Sequence, residues 1–481
     1  MAFASSATEM SGGRAGTGGT GLQVAVQSAS HLPLPVLIYV LCVVFPLSFS
    51  AGPLVLTTLR LLLMTMIIPL TVQLMMGRYG KVILTDYLFF AHILWAGIAL
   101  AVNNPGQMIE HVGSVGIEFI GGYVVGRAYV RTPEVFLGLC RLLVTLVFVH
   151  VPFAVLETLT GRVLLVELLD KIPGLDTVQI VSNDKRLGLD RVQSTFAHPI
   201  HFGLFCSVVL SLCFVGLKGV MTTGGRTLAS LIIFMTGFLA LSSGALSALA
   251  LQVGLILWAW VFARASWRWW LLVALFALAY VVVDILSNRT PIRVFMHYMT
   301  FSPYTGYVRI LIFEWGFANV VGSADKGIVG SPIFGLGLED WVRPAWMISG
   351  SMDNFWLVVT VRYGLPGFLL LAVGYIHALA KVMRRDFSAD PVLTQLRLAW
   401  VFTFMGLTFV LCTVHVWGNV YSFVFFMFGA GIWLITADPR SEGAEPETGP
   451  ASQEGLVYRR DLGVAPVPDP ATPRRSRFSR F

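Results

Sequence analysis

The chain has 481 residues, of which 56% are hydrophobic and 12% are charged, and its formal net charge is +7. Soluble domains carry about 25% charged residues, so this composition excludes an ordinary soluble protein and predicts an all-α polytopic membrane protein. The five cysteines lie in apolar segments without metal-ligand spacing, which predicts packed or lipid-facing side chains rather than disulfides. Basic cytoplasmic loops account for most of the positive charge.

The two ends of the chain differ in composition from its centre. Residues 1–32 are rich in Gly, Ser and Ala, and we expect a disordered cytoplasmic N-terminus without a cleavable signal sequence. Residues 33–437 form the predicted membrane domain. Residues 438–481 are rich in Pro, Gly and charge, which predicts a disordered cytoplasmic tail.

The membrane domain contains about 12 apolar segments near the length of roughly 20 residues that a helix needs to cross a bilayer. In one long apolar run, Ser242-Ser243-Gly244 predicts a hairpin between two spans rather than a single tilted helix. The predicted spans are 34–50, 53–75, 83–102, 111–129, 135–157, 197–217, 228–242, 245–263, 270–287, 354–380, 397–412 and 417–436.

The distribution of basic residues predicts that both termini are cytoplasmic. Loop 158–196, which is predicted to lie outside, has basic residues of its own. The excess of basic residues in the cytoplasmic loops is therefore smaller but remains. Loops 158–196 and 288–353 then meet on the extracytoplasmic face, the second as a large loop between spans 9 and 10. We predict that loop 288–353 contains the active site, with a short amphipathic helix at 309–315 and a Pro/Gly-rich turn region at 330–337.

No nucleotide-binding motif is present, so an ATP-driven pump is disfavoured and no nucleic-acid partner is expected. We see no inverted repeat in the sequence. A secondary transporter therefore stays open as an alternative without being favoured.

Arg191 ends a polar run at the outer interface, where a guanidinium group is well placed to hold a phosphate. Basic side chains beside a span also extend to the phosphates of membrane lipid. That alternative fits Lys185 and Arg186 better than Arg191. His198 and His201 are three residues apart, which predicts one shared helical face; no third metal ligand is evident, so we expect no metal and regard His198 as a substrate contact.

Arg289, Arg293 and Arg309 are predicted on the same side of the membrane as Arg191. Such a cluster is costly unless an anion neutralises it, and a lipid-linked diphosphate is the obvious extracytoplasmic anion. Arg309 alone could equally point to water from a helix that lies along the membrane.

Asp353 and Asn354 stand where the large loop returns to the membrane. A carboxylate at this depth suits a general base or an orienting group, and Asn354 is a candidate substrate contact. Either residue is also a good helix N-cap, and this role does not exclude catalysis. Arg362 lies deeper in the same span, where a charge is costly and usually functional or paired. The same reasoning applies to Arg60, Glu118 and His150.

Several of these residues belong to a series of short motifs, in an order that resembles the O-antigen ligase and Wzy-type polysaccharide polymerase superfamily over about residues 185–375. The motifs are Arg191 with Phe196-Ala-His-Pro-x-x-Phe-Gly203, Leu241-Ser-Ser-Gly-Ala-Leu-Ser247, Arg309-Ile-Leu-Ile-Phe313, Pro332-Ile-Phe-Gly-Leu-Gly337, Asp353-Asn-Phe-Trp-Leu357 and Tyr363-Gly-Leu-Pro-Gly367.

The resemblance implies an inner-membrane glycosyltransferase that transfers an undecaprenyl-diphosphate-linked glycan to a sugar hydroxyl on the periplasmic side, without nucleotide, cofactor or required metal. Arg191 and Arg309 would then hold the diphosphate and stabilise it as the leaving group. Candidate catalytic residues are therefore Arg191, Arg309 and Asp353. The candidate substrate contacts are His198, Arg289, Arg293, Asn354 and Arg362.

One departure separates two activities within this class. Ligases of that superfamily tend to have His-Asn-x-x-Leu where this chain has Asp353-Asn354-Phe-Trp-Leu357. We therefore favour a polymerase of exopolysaccharide or O-antigen repeat units, with a chain-length regulator as a further candidate partner. Transfer of O-antigen to lipid A-core and transport of lipid-linked sugars are the alternatives.

Overall fold

A computed structural model of the chain describes residues 32–51, 54–181, 185–288, 290–291, 293–294 and 303–438. The predicted terminal segments 1–32 and 438–481 lie outside the described residues, apart from Leu32 and Asp438. The proposed substrate contact Arg289 also lies outside them.

The described part of the chain is predominantly helical, as the sequence predicts, with one short antiparallel hairpin. In chain order the elements are α1 (Leu34–Val44), β1 (Ser48–Ala51), β2 (Leu54–Thr57), α2 (Thr58–Met75), α3 (Leu84–Asn103), α4 (Met108–Tyr129), α5 (Pro133–Thr160), α6 (Leu164–Leu169), α7 (Pro199–Ser211), α8 (Thr223–Phe238), α9 (Ser243–Val261), α10 (Arg268–Leu286), α11 (Pro303–Val321), α12 (Phe355–Met383), α13 (Pro391–Leu411) and α14 (Gly418–Gly429). A π-helical turn (Leu212–Gly216) continues α7, and 3-10 turns occur at Ala324–Lys326 and Ile432–Ile435.

Within the described residues, nine helical segments are long and apolar enough to cross a membrane. They are α2, α3, α5, α7 with its π-helical continuation, α9, α10, α12, α13 and α14 with the turn that follows it. The other predicted spans are also helical but fall outside this set: α1 has 11 residues, α8 has 16, and α4 carries Glu118 and Arg127. The chain is a multi-pass helical membrane protein.

The predicted hairpin within the long apolar run is confirmed. Helix α8 ends at Phe238, and α9 begins at Ser243 after a turn formed by residues 239–242, here named the α8–α9 turn. The Ser242 hydroxyl accepts a hydrogen bond from the Ala245 amide at 3.5 Å, so Ser242 caps the new helix.

Glycine allows the closest helix packing in the bundle, between α4 and α14. A Cβ on Gly126 would lie 2.2 Å from the Phe426 carbonyl oxygen, and one on Gly429 would lie 2.2 Å from the Tyr123 carbonyl oxygen. Small residues at such positions let helix backbones approach without a steric clash.

Helix α12 contains a break that ties it to the large polar loop. Gly364 has a φ of 70°, and Pro366 has no N–H to donate to the carbonyl of Arg362. The Gly337 amide donates to that carbonyl instead, at 3.0 Å. A Cβ on Gly364 would lie 2.0 Å from the Ile333 carbonyl oxygen, so only glycine fits here.

Two further backbone bonds complete this junction between the predicted Pro/Gly-rich turn region and the membrane helix. The Leu336 amide donates to Val361 O at 2.7 Å, and the Leu365 amide donates to Pro332 O at 2.8 Å. The Asn103 side chain holds the same segment from the end of α3 by donating to Phe334 O at 3.1 Å. The polar groups exposed by the break are thereby satisfied, as a membrane environment requires.

Three further intramembrane polar residues singled out from the sequence, Arg60, Glu118 and His150, have structural partners. Arg60 forms a salt bridge with the buried Glu118 at 2.8 Å. The two ring nitrogens of His150 lie 2.6 Å from Leu146 O and 3.3 Å from the Thr195 hydroxyl. These contacts account for the cost of burial, so these three residues need no functional role.

Candidate functional site

Three arginines from two segments of the chain, the loop before α7 and helix α11, meet at the α8–α9 turn. Arg186 Nη1 donates to Leu241 O at 2.8 Å, and Arg191 Nε donates to Ala240 O at 3.3 Å. Arg309 Nη1, which comes from α11, lies 3.3 Å from the Ser243 hydroxyl. Arg186, Arg191 and Arg309 are here named the arginine cluster. The structure therefore places Arg191 and Arg309 at the same end of the helix bundle, as predicted.

The segment that carries Arg191 is fixed by a buried carboxylate. Glu157, at the end of α5, accepts hydrogen bonds from the Gln193 amide at 2.7 Å and from the Ser194 amide at 3.1 Å. Ser194 has a φ of 53°, a conformation that non-glycine residues adopt only with local support. The Val192 amide also bonds Leu239 O at 3.1 Å, so this segment and the α8–α9 turn form one unit.

Arg309 differs from the prediction in its position. It lies within a longer helix, α11, rather than at the head of a short one, and its side chain is only 10% exposed. Its Nε atom is buried and has no hydrogen-bond partner among the described residues. Burial lowers the pKa of the Arg309 guanidinium; Asp353 opposes this shift and Arg186 adds to it. A buried donor without a partner marks Arg309 as ready to bind an acceptor.

The acidic residue that faces Arg309 is Asp353. Its Oδ2 lies 4.0 Å from Arg309 Nε, and 42% of its side chain is exposed. Its other carboxylate oxygen lies 3.5 Å from the Ser351 hydroxyl. The predicted N-cap is confirmed for Asn354, whose side-chain oxygen accepts from the Leu357 amide at 3.0 Å. Because Asn354 caps α12, the Asp353 carboxylate remains available to the site.

The two histidines are arranged differently from the prediction of a shared helical face, which is wrong. His198 precedes α7 as its N-cap, and its Nδ1 accepts from the Ile200 amide at 3.1 Å. Burial lowers the pKa of His198 to about 4, and the charges of Arg191 and Arg186 act in the same direction. The neutral ring therefore carries its proton on Nε2 and can only donate from that atom.

His201 lies inside the first turn of α7. Its ring centroid is 4.1 Å from that of Trp417, and the His198 ring is 6.0 Å from the same tryptophan. Trp417 thus connects the histidines to the loop before α14. Among the described residues, no group of three or more His, Cys, Asp or Glu side chains could hold a metal ion.

Arg293 is neutralised elsewhere. It forms a salt bridge with Glu314 at 2.5 Å, and both side chains are more than a third exposed. Glu314 follows Arg309 by five positions, which places it about 140° around the helix axis. Arg293 therefore contributes a surface ion pair rather than a cation of the cluster.

Arg362 lines a polar cavity of about 300 Å³ where the large loop meets α12. It has no carboxylate within 4.0 Å in the described part of the chain. His415, in the loop between α13 and α14, lines the same cavity, and its buried Nδ1 has no hydrogen-bond partner. Burial lowers the pKa of His415 to about 4, with a further lowering contribution from Arg362.

A second, apolar cavity of about 170 Å³ lies on the other side of Trp417. His201, Trp417 and Phe196 form part of its wall, together with residues of the β1–β2 hairpin and α1. The site therefore has a cationic part flanked by one polar and one apolar recess.

Sequence reasoning missed three residues of this site: Ser243, Glu157 and His415. Ser243 and Glu157 act through polar contacts to segments distant in sequence, and His415 lies in a short apolar loop. Arg186 was assigned to lipid phosphates, whereas it bonds the α8–α9 turn. The signal that could have identified Glu157 is an acidic residue near the end of an otherwise apolar span.

The fold and the site define a multi-pass helical membrane protein with clustered arginines at one end of its bundle. A comparison of the chain with known protein families and a comparison with curated proteins each found no match.

Proposed function

We propose that this protein is a bacterial inner-membrane glycosyltransferase that extends exopolysaccharide or O-antigen repeat units. It would transfer an undecaprenyl-diphosphate-linked glycan to a sugar hydroxyl at the periplasmic face. The observation that carries the proposal is the arginine cluster, in which three cations meet at one turn and the buried Nε of Arg309 has no hydrogen-bond partner in the described part of the chain.

The electrostatics of the cluster favour a multiply charged anion. Two like charges about 6 Å apart repel by about 3 kcal/mol at an effective dielectric constant of about 20. The fixed charge of Asp353, 4.0 Å from Arg309, offsets part of this repulsion. A diphosphate brings two or more negative charges and several acceptor oxygens, and guanidinium groups bind such oxygens with good geometry.

The neighbourhood of the cluster fits a lipid diphosphate better than a soluble anion. The apolar cavity beyond Trp417 and His201 is large enough for the first part of an isoprenoid chain. His198 lies between this cavity wall and the cluster, since its ring contacts Trp417 and its pKa responds to Arg191. Its Nε2–H can donate to a phosphate oxygen.

The proposed reaction is a displacement at the anomeric carbon of the donor. A hydroxyl of the acceptor sugar forms the new glycosidic bond, the bond between the anomeric carbon and the diphosphate oxygen breaks, and undecaprenyl diphosphate leaves with the bonding electrons. The arginine cluster stabilises the charge that develops on the leaving group. Asp353, with its exposed carboxylate, takes the proton of the acceptor hydroxyl.

Reconstitution tests this function directly. Purified protein in proteoliposomes receives lipid-linked repeat units, without nucleotide and with a chelator. We expect a ladder of longer glycans from the wild type and at least a hundredfold slower growth from Arg309→Gln. Arg162→Gln is a matched control, because Arg162 is exposed and is already paired with Glu167.

The same assay separates the alternatives. Glycan transferred to added lipid A-core without chain growth would identify a ligase. Movement of lipid-linked units across the bilayer without a new glycosidic bond would identify a transporter. Unchanged chain growth by Arg309→Gln would contradict the role of the cluster.

A further inference from the structure

The polar cavity at Arg362 is a separate recess from the arginine cluster. Its wall combines the large loop between Gly337 and Met352, the outer part of α12, and His415. Its volume of about 300 Å³ stands at the lower end of the range for small-molecule sites. A single sugar residue is a ligand of suitable size.

Arg362 supplies the charge of this cavity. It belongs to a membrane-spanning helix, where a cation is retained only with a partner or a function. Within the described residues no carboxylate lies within 4.0 Å of it. The break at Gly364 and the bond from the Gly337 amide to the Arg362 carbonyl fix its backbone. Arg362 is therefore held in place beside the cavity, and no acidic side chain of the described residues forms an ion pair with it.

His415 adds a directed polar atom. Its Nδ1 is buried and no described residue forms a hydrogen bond with it, while its ring stacks against Phe355 and Trp417 at centroid distances of 6.3 and 6.0 Å. The stacking restricts the ring, so the unpartnered nitrogen has a defined position. A neutral imidazole in the Nδ1–H tautomer can donate to an oxygen of a ligand.

The two acidic residues of the cavity wall, Asp340 and Glu339, each have a partner other than Arg362. Asp340 pairs with Arg343 at 2.5 Å, and Glu339 accepts from the Asn104 side-chain amide at 2.9 Å. Neither carboxylate is therefore paired with Arg362: Arg343 offsets the charge of Asp340, whereas Glu339 keeps its charge beside a neutral amide.

We propose that this cavity binds an acidic sugar residue of the acceptor glycan, whose oxyanion group is held by Arg362 and by the Nδ1–H of His415. This proposal rests on the proposed glycosyltransferase function, because a sugar bound here is an acceptor only if the protein transfers glycans. Ser351 lines the cavity and its hydroxyl lies 3.5 Å from Asp353, so a sugar bound here is next to the proposed base. Arg309 faces the same carboxylate from the other side at 4.0 Å.

This arrangement gives the two substrates separate anion sites on either side of Asp353. The diphosphate of the donor would occupy the arginine cluster, and the acidic group of the acceptor would occupy the Arg362 cavity. A repeat unit with a uronate, or one with a phosphate substituent, carries the required chemistry.

Binding to the purified full-length chain in nanodiscs tests the proposal. The probes are methyl glucuronide, methyl glucoside and glucose 6-phosphate, with affinities measured by saturation-transfer NMR and calorimetry. We expect the glucuronide or the sugar phosphate to bind at least tenfold more tightly than the neutral glucoside. Tighter binding of the glucuronide would identify the preferred acidic group as a carboxylate, and tighter binding of glucose 6-phosphate would identify it as a phosphate. Equal binding of all three probes would overturn the proposal.

Variants locate the site. Arg362→Gln and His415→Phe are each expected to lower the affinity for the acidic probe at least tenfold. His415→Phe keeps the stacking on Phe355 and changes a residue outside the spans. It therefore remains informative if Arg362→Gln fails to fold. Arg162→Gln is the control with unchanged affinity. Loss of binding in Arg309→Gln, with none in His415→Phe, would assign the probe to the arginine cluster and overturn the proposal. No donor lipid is present, so this result and the polymerisation result can fail independently.

Discussion

Arg309 and Asp353 face each other across 4.0 Å, at the outer limit of an ion pair, and within the described residues the Arg309 Nε has no hydrogen-bond partner. A closed salt bridge would have brought these groups within about 3 Å. The gap leaves the guanidinium able to bind an anion and leaves the carboxylate able to accept a proton. Both abilities are needed if a leaving group and a nucleophile meet here.

The first prediction concerns the charge and shape of Arg309. Arg309→Ala is expected to abolish polymer while the protein still inserts into the membrane, and Arg309→Lys is expected to restore only a small part of the activity. Lysine keeps the charge but lacks the planar fork of donors that binds two phosphate oxygens. Chain growth in proteoliposomes and protein level in isolated membranes are the measurements. Full activity in Arg309→Lys would show that charge alone is sufficient.

The second prediction concerns Asp353. Asp353→Asn removes the base while keeping the shape of the side chain, so we expect the turnover number to fall by about 10² to 10⁴. Affinity for the lipid-linked donor is expected to change little, because the arginine cluster is intact. Single-turnover kinetics and donor binding, measured on the same preparation, separate the two effects. A variant that lost donor affinity and kept its turnover would assign Asp353 to binding.

The third prediction concerns Glu157, which holds the segment of Arg191 through the Gln193 and Ser194 amides. Glu157→Ala leaves two buried donors without partners, which costs about 1–3 kcal/mol each. We expect a lower unfolding temperature in detergent and weaker donor binding. Glu167→Ala is the matched control, since Glu167 pairs with Arg162 at a more exposed position. Equal effects of both changes would contradict a specific role for Glu157.

The fourth prediction concerns pH. The folded pKa of His198 is about 4, below the ordinary value of 6.5, so the unfolded chain binds the extra proton between these values. His198 therefore contributes stability above about pH 6.5, and this contribution is lost as pH falls towards 4. We expect the unfolding temperature of His198→Asn, which keeps an N-cap, to fall less steeply with acidification in this window. If the unfolding temperatures of the variant and the wild type fell equally steeply with pH, neutral His198 would not contribute to stability and the prediction would be wrong.

The fifth prediction concerns the break in α12. Gly364→Ala places a Cβ about where the Ile333 carbonyl oxygen lies and forces a positive φ on alanine. We expect a loss of at least about 2 kcal/mol in the free energy of unfolding. Gly254→Ala is the control, because a Cβ at Gly254 in α9 meets no atom within 4 Å. Thermal unfolding of both variants gives the comparison.

Much of the helical framework could be predicted from local chemistry. Ser242 predicted the turn between α8 and α9, and Asn354 predicted the start of α12, because capping depends on residues close in sequence. Hydropathy predicted the helices, and nine segments of the described residues are long and apolar enough to cross a membrane, whereas α1 is shorter and is followed by a two-stranded hairpin.

The site was predictable only in part, because its contacts join distant segments. The basic-residue pattern placed Arg191 and Arg309 at the same end of the bundle, and they are there. The pattern could not show that Arg293 pairs with Glu314, or that Arg186 bonds a backbone carbonyl of the α8–α9 turn. Every residue has a backbone carbonyl, so the sequence does not show which carbonyl an arginine will bond. Whether two exposed charges pair depends on the direction in which each helix residue faces, which the sequence alone does not give.

The interlocked backbones at Gly364 have a consequence for protein engineering. Leu336, Gly337 and Pro332 complete the hydrogen bonding of a transmembrane helix that cannot complete its own. A chimera that exchanges the large loop between two proteins of this kind must therefore carry residues 361–366 with it. Loop and helix break are inherited together, so substrate preference in such proteins would evolve by co-substitution across this junction rather than in the loop alone.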